Sequence, residues 1–198
     1  MKPKLPKQYI GVISSFKLYI SAYGGLGDIF KSPYFHAAVL VTAFSYQGWL
    51  GNSGWEELIL SAAPPFIAFS LGAAAIFNSI GDNSFRNMLL NYTEEGKSDS
   101  SYVAISAQLV HFIVVQTFAL LLAIISANGP TKAYDTFFSN YPCSKIIGDS
   151  FVFAYKFFTY LTFIYGCFLV LATVMLIFNI SRSISRNHQI DNAENTDI

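Results

Sequence analysis

Three polar side chains, Gln108, His111 and Gln116, stand inside one long apolar run of this chain, Tyr102 to Ala127. A polar group within a hydrocarbon layer is costly, which makes each a functional candidate. On a helix the three fall in a broad sector, where they could bridge to a neighbouring helix or line a polar path; an imidazole could also titrate near neutral pH. The competing use is hydrogen-bonded packing at ~1 kcal/mol each. A lone histidine without a second ligand at metal spacing is not a metal site. A second set, Glu56, Glu57 and Lys156, falls at one predicted membrane face. Shared depth motivates an acid–base contact between two helices, with snorkelling to water as the alternative. No nucleophile–base pair, catalytic carboxylate pair or phosphate loop accompanies these residues, so the reading is non-enzymatic, with no cofactor.

The elements that must position them are membrane helices. The 198 residues are 53% hydrophobic and only 12% charged, with a mean hydropathy of +0.43, too apolar for an ordinary soluble domain. A formal net charge of zero argues against direct nucleic-acid binding, which needs clustered cations. Cys143 in a loop and Cys167 in an apolar run fall at different depths, which disfavours a disulfide. The opening MKPKLPK and the mixed segment after it lack a signal-peptide pattern, so the first span is expected to target the chain itself.

The expected fold is all-α: a polytopic membrane protein of four transmembrane helices plus an N-terminal amphipathic helix. Residues 1–31 form an N-terminal segment, 32–180 the membrane domain with spans at about 34–50, 55–80, 102–127 and 151–180, and 181–198 a polar, disordered tail. Tyr9, Val12, Ile13, Phe16, Ile20 and Tyr23 share one face of the N-terminal helix, which lies in the headgroup region or packs on the bundle. Glycines 24, 25 and 27 then make an elbow. Within the second span, Pro64 and Pro65 predict a kink or local unwinding, read either as a hinge or as a bend fixed by packing. Behind them, Gly72 four residues after Ala68 would let another helix approach closely. The residues after 83 form a short amphipathic piece and a solvated loop, and those from 131 to 150 an aqueous loop. Lysine and arginine concentrate in the N-terminal segment, at Arg86 and Lys97 in the middle loop, and at Arg182 and Arg186 in the tail, so both termini are expected in the cytoplasm. These four basic residues are the expected docking surface for a partner.

Four spans with both ends cytoplasmic and almost no soluble mass, together with the second-span sequence PPFIAFSLGAAAIF, resemble the KwaA family, the membrane subunits of the bacterial Kiwa anti-phage defence system. Abundant Phe, Tyr, Asn, Ile and Ser fit an AT-rich gene of a mobile island. The resemblance implies a tetrameric sensor of phage infection in the cell inner membrane, embedded in lipid and holding a cytoplasmic DNA-binding effector, KwaB. It transfers no functional residue. The rival expectation is an oligomeric pore lined by Gln108, His111 and the kinked second span, and a third is an assembly subunit of a larger membrane complex.

Overall fold

The computed structural model describes residues 6–51, 54–79, 83–91, 100–128 and 142–194. They form eight helices: α1 (Lys7–Tyr23), α2 (Leu26–Lys31), α3 (Pro33–Phe44), α4 (Tyr46–Leu50), α5 (Trp55–Ser79), α6 (Asn83–Asn91), α7 (Ser101–Asn128) and α8 (Pro142–Glu194). Three segments are long and apolar enough to cross a membrane: Trp55–Ser79, Ser101–Asn128 and Gly148–Ser183. The expected first span is instead broken at Ser45 (φ −88°, ψ 18°). Its longer piece, α3, has 12 residues and rises ~18 Å, short of the ~30 Å hydrocarbon layer. Just before the break, the Thr42 carbonyl accepts the buried Trp49 indole N–H at 2.9 Å, the carbonyl that a continuous helix would offer to residue 46.

Chain contacts divide the molecule into two compact units. The first comprises Met1–Ser32, Ala73–His111 and Val174–Ile198; the second comprises Pro33–Gly72 and Phe112–Thr173. In the second unit, Trp49, Trp55, Ile59, Ala63, Ala119, Ala123 and Phe163 form the core. Small residues bring the backbones together, and the aromatic rings fill the space beside them. Trp49 packs edge-on against Phe153 and Phe157, and Trp55 against Tyr160. On α7 the buried positions 112, 116, 119, 123 and 126 step by four and three, the spacing of a left-handed packing seam. In the first unit, Ala73, Phe77 and Leu109 are buried, with Leu89, Tyr102, Ile105 and Leu176 packed around them. Large apolar groups such as Phe44, Leu71, Phe118, Phe151 and Phe178 remain outward-facing, far more than a water-soluble surface carries.

Several expectations change at this level. The helix α5 is continuous through Pro64 and Pro65, so there is no local unwinding. Each proline removes one N–H from the ladder, but both rings face outward and the helical bonds on either side persist. The elbow is confined to Gly24 and Gly25 (φ 111° and 85°), while Leu26 to Asp28 already belong to α2. Gly25 N–H bonds the Ile20 carbonyl and Gly24 N–H that of Ser21, which closes α1 with a Schellman motif. The helix α8 takes in Cys143 and the end of the expected 131–150 loop, and it continues through the expected tail to Glu194. The positions 52–53, 80–82, 92–99 and 129–141, with the turn tips, Lys97 and Lys132, lie outside the described residues.

Candidate functional site

The best-defined polar constellation lies in the first unit, where the last turns of α1 meet α7. Four-residue spacing puts Tyr19 and Tyr23 on one face of α1, and the Gly24–Gly25 stop ends the helix immediately after them. The Tyr19 hydroxyl lies within hydrogen-bond distance of His111 Nδ1. A phenol donates there when the imidazole carries its proton on Nε2. The Tyr23 ring stacks on the same imidazole with centroids 4.1 Å apart, and His111 is only 3% exposed. Burial, then the neighbouring Tyr23, pushes the Tyr19 phenol up to about 12, so it stays protonated and available as a donor across the physiological range. Among the described residues, the polar and ring contacts of α1 with α7 lie at this end. Tyr9, Val12, Ile13 and Phe16 are exposed, so the helix packs on the bundle at its C-terminal end and leaves its apolar N-terminal face uncovered.

The three polar residues of α7 therefore do not share a path. Gln108 faces outward and His111 is closed off by two tyrosines. Gln116, in the second unit, is fully buried, and neither amide atom has a hydrogen-bond partner. Its side chain lies on Gly166, where an added Cβ would come within 2.7 Å of the amide carbon. The signal missed in the sequence was Gly166 itself, whose missing side chain leaves room on α8 for the Gln116 amide.

The expected acid–base contact is not formed either. Glu56 Oε1 accepts the Ser126 hydroxyl at 3.1 Å, Glu57 is exposed and Lys156 is half-buried. Among the described residues no ion pair within 4.0 Å links the acids to Lys156; a neutral hydroxyl serves Glu56 without burying a second charge. Gly72, like Ala68, faces outward, and among the described residues nothing lies within 4 Å of a Cβ placed at Gly72. Arg86 lies over the Tyr102 ring, 5.4 Å from its centroid, and the Tyr102 hydroxyl donates to Asn78 Oδ1 at 2.8 Å. Arg182 and Arg186 are exposed on α8. Among the described residues no group of three or more His, Cys, Asp or Glu side chains could hold a metal ion.

No protein-family model matches the chain, and no curated protein or solved structure matches it.

Proposed function

We propose that this chain is a non-enzymatic integral membrane subunit that self-associates and tethers a cytoplasmic partner. The observation that carries the reading is the distribution of charge between the two units. Among the described residues, Lys7, Lys17, Lys31, Arg86, Arg182 and Arg186 belong to the first unit, and Lys145 and Lys156 to the second. Contact between helices thus collects the same segments that the positive-inside rule assigns to the cytoplasmic side. In this reading α3 and α4 together, 18 residues from Pro33 to Leu50, form a short fourth crossing, and both termini are cytoplasmic in the cell inner membrane. A tetrameric KwaA-like sensor of phage infection holding a KwaB-like effector is the specific form we favour. It rests on the resemblance in span number, charge placement and the sequence PPFIAFSLGAAAIF.

A pore is the second reading, and the outward amide of Gln108 favours it. Such a group must find a polar partner in lipid, either across a subunit seam or on a wetted lumen. His111 is withdrawn from that role by Tyr19 and Tyr23. Affinity purification of the tagged chain in mild detergent, with mass photometry and mass spectrometry, separates the readings. A stoichiometric soluble partner on a symmetric oligomer is the expected result. A homo-oligomer without a partner that passes ions in liposomes would overturn the tether in favour of the pore.

A further inference from the structure

A stripe on α8 in the first unit has the composition of a headgroup site. Phe178, Arg182 and Arg186 recur at four-residue steps along it, with Ser181 and Ser185 beside them. Both guanidiniums are exposed, and among the described residues neither has an acidic partner within 4.0 Å. We propose that Arg182 and Arg186 bind the phosphate of an anionic phospholipid in the leaflet at this end of the span, with Phe178 against the acyl chains below it.

Depth selects a lipid over a soluble acidic peptide. No charged residue occurs between Lys156 and Arg182. At ~1.5 Å per residue, those two positions lie ~39 Å apart along a straight helix. The hydrocarbon core is ~30 Å thick and the bilayer with its headgroups ~40–45 Å. Each cation then falls within a headgroup layer, and Arg186 lies ~6 Å further out, so two guanidinium forks can converge on one phosphate. The aromatic ring one turn inward belongs at the apolar boundary.

This inference rests on the membrane reading, and it moves Arg182 and Arg186 from the expected partner surface to the lipid. In the test, the full chain in neutral detergent is titrated with dioleoylphosphatidylglycerol or dioleoylphosphatidylcholine, and bound lipid is counted by native mass spectrometry. Wild type is expected to retain phosphatidylglycerol preferentially. Two cationic residues at about a fivefold factor each make the Arg182→Gln/Arg186→Gln variant about 30-fold weaker. The Arg182→Lys/Arg186→Lys variant should recover much of the loss, and Arg86→Gln should bind like wild type. Unchanged phosphatidylglycerol retention in the double glutamine variant would overturn the site. So would equal affinity for inorganic phosphate without lipid, or loss of a co-purifying acidic protein with lipid binding intact. Should the glutamine variant misfold, salt titration of wild type decides: retention insensitive to salt refutes a charge-based site. Release of the chain from membranes by carbonate without detergent would fail the membrane reading instead.

Discussion

Gly166 allows the packing of the second unit to be tested quantitatively, because one methyl group added there meets a single defined obstacle. In Gly166→Ala the new Cβ would overlap the amide of Gln116, whose side chain is fully buried. Overpacking of this kind costs ~1–3 kcal/mol, while replacing glycine by alanine within a helix returns ~1 kcal/mol. The single variant should therefore be destabilised by about 0–2 kcal/mol. In a Gln116→Ala background the obstacle is gone, and the same substitution should stabilise by ~1 kcal/mol. The coupling between the two sites is then ~1–3 kcal/mol, well above the ~0.5 kcal/mol expected of independent sites. Denaturation in mixed micelles can be followed by tryptophan fluorescence, because Trp49 and Trp55 are both buried in the same unit. An equal effect of Gly166→Ala in both backgrounds would refute the contact.

The α1 anchor yields two further predictions. Tyr19→Phe removes the hydroxyl that meets His111 Nδ1, at ~1 kcal/mol; hydrogen exchange in the last turns of α1 should accelerate about fivefold, and unchanged protection would mean that this hydrogen bond does not hold the helix. The pH dependence comes from the raised Tyr19 phenol. A folded-state value of about 12 against an ordinary 10 means that the stabilisation is complete below pH 10 and is lost as pH rises through 12. The difference between the phenolate titrations of wild type and Tyr19→Phe should correspond to one tyrosine that titrates late, at about 12; a difference centred near 10 would place Tyr19 in water.

The helical class was legible because runs such as Trp55–Ser79 are apolar over more than 18 residues, a property that needs no knowledge of neighbours. The inward faces were not. When a helix is apolar all round, its periodicity no longer marks the buried side, so the step through Phe112, Gln116, Ala119, Ala123 and Ser126 on α7 did not stand out from the apolar run around it. The expected Glu56–Lys156 contact shows a similar limit: it was inferred from depth along two helices alone, but azimuth decides contact, and Ser126 has the azimuth. The break at Ser45 depends on a bond from Trp49 back to Thr42, between residues that each look ordinary in an apolar run.

The fate of the polar groups constrains how this bundle can act. His111 is consumed by α1, Ser126 by Glu56, and the Tyr155 hydroxyl by the Leu122 carbonyl at 2.6 Å. Gln116 is enclosed without a partner. Among the described residues these groups do not join into one chain of polar contacts, since each is closed by a local neighbour or by packing. What remains unspent is peripheral: the amide of Gln108, the small-residue step at Ala68 and Gly72, and the basic ends of the first unit. The first two have the chemistry of contacts between membrane helices of separate chains, and the last has the chemistry of a cytoplasmic surface. In the proposed reading, a membrane protein whose described interior is committed to packing works through those outer faces, and self-association and tethering would use more of its residues than conduction through a single bundle would.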